Sequence, residues 1–358
     1  MPRGYKDVGV LSNEEMGSFG SAIAVLRETF AYPRRGKPVT RFGLYAAVLD
    51  LGNNLGLAIS TDGVGTKLLV AEEMRKFDTV GIDCVAMNVN DIVCVGAEPI
   101  SMVDYIAVAS AEGDQLAQIA IGLREGARQA HISIPGGETA QIPELLHTSL
   151  HNEAFDLAGT CVGNVAMDRI IDGTRVEPGD ALLGFSSSGI HSNGLTLARR
   201  TLQQYGALDA HAYVPEFGRT LGEELLEPTT IYVDLALALM AACDVRAMAH
   251  ITSDGLLNLR RLVAQVGFEI DYLPDPQPIF QLVQGAGELE AAEMYRVFNM
   301  GTGFCAVVPE ADADAAMQAA GRVGLRSWRL GRAVASDERA IRLLPLGLTS
   351  DGDQFVAG

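Results

Sequence analysis

STDGVGTKLLVAEEMRKFDTVGIDCVAMNVNDIVCVGAEPISMVD, Ser60 to Asp104, is the stretch around which the chain is organised. It passes from a strand end through a Gly-bracketed turn closed by Lys67 into a nearly all-apolar helix with one acidic stripe. It then finishes in a strand that carries Asp104 at its centre. Strands and helices in such succession go with an α/β fold built on mixed sheets.

The turn Asp62 to Lys67, DGVGTK, leads into a helix beginning near Thr66. Glycines just ahead of a helix let a phosphate approach backbone N–H groups at the positive end of the helix dipole. The spacing is not a Walker A loop, because Leu68 follows Lys67 where Ser or Thr is required, and no G-x-G-x-x-G is present. Alone, the turn reads equally as a strand–turn–helix corner. The helix from about Thr79 to Val95 shifts the balance. At about 100° per residue, Asp83, Met87, Asn90, Asp91 and Cys94 share one stripe, and almost every other position is apolar. Charged side chains on a buried helix are costly unless paired or bound to metal. Asp104 repeats the problem on a face with Ile100, Met102 and Ile106. Several such aspartates beside a Gly-Lys turn point to Mg²⁺, a hard cation that takes carboxylate oxygens and bridges to phosphates.

Downstream, Gly113-Asp114 opens a helix running to about Ala130, and His131 to Pro135 predicts a short strand. That strand is expected to end in a loop, Gly136-Gly137-Glu138-Thr139, where Glu138 is either a further acidic ligand or part of a solvent-facing turn. His147 and His151 are spaced i, i+4 but lack a third ligand, so a polar loop is expected there. Phe155 to Ala166 predicts a strand, and the turn-rich segment after it places a domain boundary at Met167, giving domains 1–166 and 167–358. A strand from Ala181 to Ser186 feeds SSSGIHSNG, a Ser/Gly loop opening a helix at about Leu195, which suits an anion such as a substrate phosphate. His191 lies in that loop as a candidate acid/base or substrate contact. Ala249 to Leu262 repeats the strand–loop–helix pattern, and an N-cap accounts for Asp254 on its own. Residues 268–290 read as a connecting loop, and the tail from Gly347 reads as loose. Toward the N-terminus, Ala22 to Phe30 suggests a short helix. Phe42 to Leu51 and Leu55 to Thr61 read as two strands joined by Gly52-Asn53-Asn54.

With 358 residues and 48% hydrophobic content, the chain can bury a large core. Its formal charge of −18 speaks against nucleic acid or an anionic membrane as the main partner. No apolar stretch approaches the ~18 residues of a membrane span. The five cysteines form no C-x-x-C pair and sit in apolar sequence, as buried reduced thiols of a cytoplasmic enzyme would.

An ordered set of segments then carries a resemblance. GYKDVGV, STDGVGTK, GIDCVAMNVNDIV, GAEP, DYIA, GGETAQIP, DLAGTCVG, IIDGTRVEPGD, SSGIHSNG, AHIT and EMYRVFNMG run nearly end to end. Together they resemble the phosphoribosylformylglycinamidine cyclo-ligase (AIR synthetase) family. The resemblance implies ATP-dependent closure of formylglycinamidine ribonucleotide to aminoimidazole ribonucleotide. It also implies a homodimer whose N-terminal strands form a barrel across the two subunits, with a C-terminal α/β domain and the active-site cleft between domains. On the ATP/Mg²⁺ side it implies Asp62, Gly63, Gly65, Thr66, Lys67, Asn90, Asp91, Asp104, Gly136, Gly137 and Glu138, with Asp62, Asp91, Asp104 and Glu138 as metal ligands. Toward the substrate it implies Ser187, Ser188, His191, Ser192 and Asn193, with His191, His250 and Lys67 as catalytic groups.

Two stretches depart from the family pattern. Thr40-Arg41-Phe42-Gly43 stands where G-G-F-G is usual, and Thr252-Ser253-Asp254-Gly255 where T-G-G-G is usual. The second is reminiscent of thiamine-monophosphate kinase, a rival reading, although DGVGTK and HSNG are not features of that kinase. Selenophosphate synthetase and the hydrogenase-maturation nitrile-forming enzyme would call for a reactive Cys or Sec near the N-terminus or a terminal Cys, whereas the first Cys is Cys84 and the chain ends DQFVAG. An inactive nucleotide-binding partner is the alternative from another class, against which the intact acidic set argues.

Overall fold

A computed structural model describes residues 4–9, 17–111, 113–147, 153–205 and 208–358. In the first half, strands β1 (Lys37–Pro38), β2 (Ala47–Gly52), β3 (Leu55–Gly63), β4 (Glu98–Val108), β5 (Ser133–Gln141) and β6 (Phe155–Ala166) form a six-stranded sheet. Its order is β1-β2-β3-β6-β4-β5, antiparallel except where β4 runs parallel to β5. The β2–β3 hairpin turns through Asn53 and Asn54, both at positive φ (55° and 61°), the conformation that tight hairpin turns demand and Asn tolerates. Ahead of the sheet, α1 (Gly17–Glu28) begins earlier than the sequence suggested.

One face of this sheet is covered by α3 (Val80–Cys94) and α4 (Gln115–Ala130), while α2 (Lys67–Met74) packs against α3 and the second half of the chain. The expected buried helix is α3, and it is buried nearly all round. It packs on β3, β6, β4 and α4 on one side and reaches the second half of the chain on the other. Val80, Val85, Val89, Ile92 and Val93 have no exposed surface, each contributing about 1.5–3 kcal/mol by burial.

The second half builds an eight-stranded sheet in the order β10-β12-β7-β13-β11-β14-β15-β16. Its strands are β7 (Ala181–Ser186), β10 (Ala247–His250), β11 (Val266–Ile270), β12 (Thr302–Val308), β13 (Ser327–Ala335), β14 (Ile341–Leu343), β15 (Leu348–Asp351) and β16 (Gln354–Ala357). A two-residue pair, β8 (Tyr213–Val214) with β9 (Arg219–Thr220), stands apart. Helices α5 (Leu195–Arg199), α6 (Leu221–Leu225), α7 (Val233–Ala242), α8 (Pro278–Gly287), α9 (Ala291–Val297) and α10 (Ala313–Arg322) complete it.

Three local expectations are corrected. Residues 268–290 are not a plain loop: β11 ends at Ile270 and α8 starts on Pro278, whose missing N–H and fixed φ suit a first helical turn. The tail from Gly347 is the hairpin β15–β16, closing the sheet edge by pairing with β14. Gly136 to Thr139 lies inside β5 and not in a loop, because β4 supplies a parallel partner for its backbone. Among the described residues, no helix is long and apolar enough to cross a membrane. Cys84, Cys94, Cys161 and Cys305 are free and buried, while Cys243 is free and half-buried.

Candidate active site

The DGVGTK turn lies where β3 hands over to α2. Asp62 and Gly63 end the strand, Gly65 takes the left-handed φ of 73° that reverses the chain, and Thr66 caps the helix. Asn88 of α3 fixes this corner: its Oδ1 accepts from the Asp62 N–H at 3.0 Å, and its Nδ2 donates to the Asp62 carbonyl at 3.2 Å. Facing it across the gap between the two halves is the loop Ser186 to Gly194. The Thr66 and Thr196 hydroxyls, 2.9 Å apart, join the two.

Lys67 does not reach toward open space. Its ammonium is fully buried, 2.9 Å from Asp83 Oδ1 and donating to the Glu227 carbonyl at 2.6 Å. The same Asp83 oxygen accepts from the Thr229 N–H (2.8 Å), the Thr229 hydroxyl (2.6 Å) and the Ser192 hydroxyl (3.2 Å). Lys67, expected among the ATP-side and catalytic groups, is here one half of a buried ion pair joining α2, α3, the 186–194 loop and the segment before α7.

The acidic stripe splits into two functions. Asp83 belongs to that knot, whereas Asp91, one helical stretch further on, remains partly exposed beside His250. His250 Nδ1 lies 3.1 Å from Asp91 Oδ1, and its Nε2 lies 3.4 Å from the Asn90 side-chain amide. The carboxylate can only accept, so Nδ1 carries the proton and Nε2 accepts from Asn90. Asn90 is itself oriented by bonds from the Tyr232 N–H and to the Thr230 carbonyl. With both ring nitrogens engaged, His250 orients Asp91 and is not placed as a free proton carrier. Asp62 stands near Asp91: burial, then the Asp91 charge, pushes its carboxyl up to about 6, while the Gly63 N–H bond pulls the other way.

The four expected metal ligands do not converge within one chain. Asp62 pairs across the sheet with Gly159, which pairs with Asp104, which pairs with Gly137. Asp62 and Asp104 thus share the helix-covered face but stand two strands apart, about 10 Å. Glu138 is one residue past Gly137, so the two-residue period of a strand turns it to the opposite face beside Tyr105. Gly137 is required here: a Cβ on it would lie 2.5 Å from the Asp104 carboxylate. Asp104 opens into a cavity of about 510 Å³ with Ile106, Leu123, Ile132 and Ile134 in its lining, and burial raises its pKa. Among the described residues, no three His, Cys, Asp or Glu side chains gather around one point. The Asp62–Asp91 pair still suits a cation. One oxygen of each is engaged, by Gly63 and His250, and a magnesium ion carried in with phosphates takes only one or two carboxylates.

The 186–194 loop is stitched from within. Ser187 Oγ donates to Asn299 Oδ1 (3.0 Å), Ser188 Oγ to the Pro228 carbonyl (2.5 Å), and the Ser192 hydroxyl to Asp83. Asn299 also donates to the Gly189 and Ile190 carbonyls, holding the loop like a clamp. Asn193 is half-buried, and among the described residues its amide has the Met87 sulfur at 3.9 Å as its partner. His191 adopts a φ of 66°, uncommon outside glycine and a mark of a position held by its surroundings. Its buried Nε2 accepts from the Ser188 and Thr230 N–H groups (3.3 and 3.4 Å), so the proton sits on Nδ1, which has no partner among the described residues. Burial first, then the charges of His250 and Lys67, holds its pKa far below the ordinary imidazole value. A neutral His191 is a hydrogen-bond donor in waiting. Of the spaced pair His147 and His151, His147 is exposed with its Nε2 2.9 Å from the Glu144 carbonyl, and His151 lies outside the described residues.

Sequence reasoning missed Asn88, Thr229, Tyr232 and Asn299. The polar runs Thr229-Thr230 and Asn299-Met300-Gly301, each between apolar segments, were the available signals. The Lys67 knot makes a distinct prediction. Lys67→Met should cost about 3–5 kcal/mol of stability, read by urea denaturation, since it strands a buried carboxylate. A fully stable but inactive Lys67→Met protein would return Lys67 to a direct catalytic role.

With this geometry in hand, comparisons with known proteins place the chain. The model for the AIR synthase related protein N-terminal domain matches residues 43–165, and that for its C-terminal domain matches residues 177–343. Phosphoribosylformylglycinamidine cyclo-ligase of Thermococcus kodakarensis is 48% identical over 347 residues, 96% of this chain and 98% of that protein. The Methanosarcina acetivorans protein of the same name is 46% identical over 321 residues, 88% of this chain and 92% of that one. The thiamine-monophosphate kinase of Stenotrophomonas maltophilia shares the fold at a TM-score of 0.60 and 24% identity, covering 89% of this chain and 95% of that one. Both domain models and near-full-length identity well above the level that fold alone produces agree: the chain belongs to the phosphoribosylformylglycinamidine cyclo-ligase family of AIR synthase related proteins.

Proposed function

We propose that this protein closes the imidazole ring of aminoimidazole ribonucleotide from formylglycinamidine ribonucleotide, using ATP and releasing ADP and phosphate, within purine biosynthesis. The observation that supports the reading beyond family membership is that two anion-compatible loops, DGVGTK and 186–194, are held side by side, by the Thr66–Thr196 hydroxyl contact at the start of α5 and by the Lys67–Asp83–Ser192 bonds. An amide oxygen is a poor leaving group. Its attack on the γ-phosphorus of ATP expels ADP and, with loss of the amide N–H proton, forms an iminophosphate. The amidine nitrogen then attacks that carbon, phosphate departs with the former amide oxygen, and the ring nitrogen loses a proton. No protein nucleophile is needed, so the chain acts by positioning and charge.

On the nucleotide side Asp62 and Asp91 would hold Mg²⁺, which supplies neutralisation of phosphate charge. Asn88 and His250 keep those two carboxylates in place. On the substrate side Asn193 and the Nδ1–H of His191 have capacity for a ligand, while Ser187, Ser188 and Ser192 hold the loop's shape. We assign residues 1–166 and 167–358 to the two domains, and a cytoplasmic location suits the buried reduced thiols.

The bare face of the first sheet supports a homodimer. Leu55 (45% exposed), Val103 (46%) and Tyr105 (42%) lie there with half-buried Leu57, Ile59 and Val162. An apolar sheet face of this kind calls for a partner, and a second copy would close the strands into a barrel. Glu138 shares that face and would then sit in the subunit interface. Sedimentation at twice the chain mass, lost in Val103→Asp, is the expected result; a monomeric active wild type would exclude the barrel.

The deciding assay follows ADP release by purified protein with Mg-ATP, with and without formylglycinamidine ribonucleotide. Substrate-dependent ADP matched one-for-one by aminoimidazole product is expected, and Asp91→Asn should abolish it with fold and dimer intact. Release with thiamine monophosphate instead would assign a different substrate.

Asp62 adds a pH dependence. Its raised pKa means that below about 6 a proton occupies the site, and Mg²⁺ must displace it. Mg²⁺ affinity by calorimetry should therefore fall about tenfold per pH unit as the pH drops below that value, and flatten in Asp62→Asn. Conversely, the cation-free fold should lose stability as the pH rises from 3.8 to about 6, where the unfolded chain releases this proton first. An Mg²⁺ affinity constant between pH 5 and 7 would remove Asp62 from the cation site.

A further inference from the structure

Strand β12 slips by one residue against β7 between Thr302 and Phe304, which leaves Gly303 as the extra residue of a bulge. The Gly303 carbonyl accepts from the Ile251 N–H at 3.0 Å, next to His250. On its other side β7 ends at Ser186, where the 186–194 loop begins. The missing side chain at Gly303 makes room for two others. A Cβ there would overlap the Tyr232 hydroxyl and lie 2.5 Å from His191 Cε1. The two side chains thus meet over one bare Cα.

Tyr232 has no exposed surface, and its ring stacks on Phe304 with centroids 5.0 Å apart. Packing alone would be served by a phenylalanine. The hydroxyl instead donates to the Ser186 carbonyl at 2.8 Å, at the point where β7 gives way to the loop. Burial pushes the phenol pKa far up, so the proton for that bond stays in place. The main-chain N–H of Tyr232 serves the other side of the cleft, donating to Asn90 Oδ1 at 2.8 Å. Thr230 is divided in the same way: its N–H donates to His191 Nε2 at 3.4 Å, and its carbonyl accepts from Asn90 Nδ2 at 2.9 Å. Asn90 continues through His250 to Asp91. The segment 230–232 therefore holds both sides of the cleft, but the Tyr232 hydroxyl belongs to the loop side alone.

We propose that Tyr232, seated on the bare Cα of Gly303, is a positioning residue for the substrate. Its hydroxyl sets where the 186–194 loop leaves β7, and so where His191 and Asn193 meet formylglycinamidine ribonucleotide. This rests on the function proposed above. It also gives the bulge a role, since the space over Gly303 is what lets the phenol and the imidazole stand together.

The test compares the KM values for the two substrates with Mg-ADP affinity by calorimetry. Tyr232→Phe keeps the ring and the N–H to Asn90 and removes only the hydroxyl. It should raise the KM for formylglycinamidine ribonucleotide about 3- to 10-fold, the range for one lost hydrogen bond, while the KM for ATP and Mg-ADP affinity stay within about twofold. A hydroxyl with a merely structural role would instead lower the melting temperature and the active fraction, with both KM values unchanged. Gly303→Ala should show the same split more strongly, because it displaces His191 as well, and should do less further harm in the Tyr232→Phe background, where the hydroxyl it meets is gone. Asn90→Ala, which releases the segment and His250 together, should weaken both sides. An unchanged KM for formylglycinamidine ribonucleotide in Tyr232→Phe, or an equal rise in both KM values, would overturn the proposal. Either Tyr232→Phe or Gly303→Ala decides on its own if the other does not fold. Wild-type protein that releases no ADP in response to formylglycinamidine ribonucleotide would bring down the proposed function, and this inference with it.

Discussion

The ion pair between Lys67 and Asp83 is the interaction on which the rest of the molecule depends. Both groups are fully buried, and charges in such a place are tolerated only when paired and hydrogen-bonded; since Asp83 Oδ2 has no partner among the described residues, Oδ1 gathers every bond to the carboxylate. Asp83 Oδ1 is supplied from both halves of the chain, by Lys67, Ser192 and Thr229. Lys67 in turn takes the Glu227 carbonyl. A charge pair that cannot be solvated, and cannot be completed within one half, forces the halves to meet in one arrangement. The gap between DGVGTK and the 186–194 loop inherits its geometry from that requirement.

Helix α3 transmits the constraint. Its residues do different work according to depth: Asp83 ties the halves together, Asn88 pins the backbone of Asp62, and Asn90 orients His250, which orients Asp91. These are all consequences of one helix being buried on every side, so that each polar group on it needs a designated partner. What remains after the partners are assigned is a pair of carboxylates close enough to raise the Asp62 pKa. Such a pair is electrostatically incomplete, and under the proposed function a divalent cation with its phosphates would complete it. The division of labour also explains why the loop serines matter. Their hydroxyls are committed inward, so they shape the cleft through the backbone they hold, whereas His191 and Asn193 have capacity left for a ligand.

Sheet geometry limits how many carboxylates one chain can bring to a point. The pairing row Asp62, Gly159, Asp104, Gly137 sets the first two acidic residues two strands apart, and the next position on β5 turns Glu138 through the sheet. The small residues in that row leave room for the carboxylates to lie along the sheet. The opposite face, where Glu138 joins Tyr105, Val103 and Leu55, is the apolar surface left uncovered.

By itself the sequence determined the elements with strong local signals. The all-apolar run of α3 and the alternation of β6 were placed to within a residue, and the paired asparagines of the hairpin lay where a positive φ was expected. Those features depend on period and on local backbone preference, which neighbours in sequence set. The sequence also singled out the two loops that the fold brings side by side, because Gly and Ser ahead of a helix are recognisable without knowing what faces them. Only the tertiary structure decided which charged groups are structural and which face the cleft. Lys67 and Asp83 read like Asp91 along the chain and differ only in what the distant residues 192 and 227–229 supply. Glu138 looked like a companion of Asp104, but strand pairing, which sequence spacing does not reveal, put them on opposite faces. A charge's role is fixed by its partners and its depth, and those belong to the folded chain.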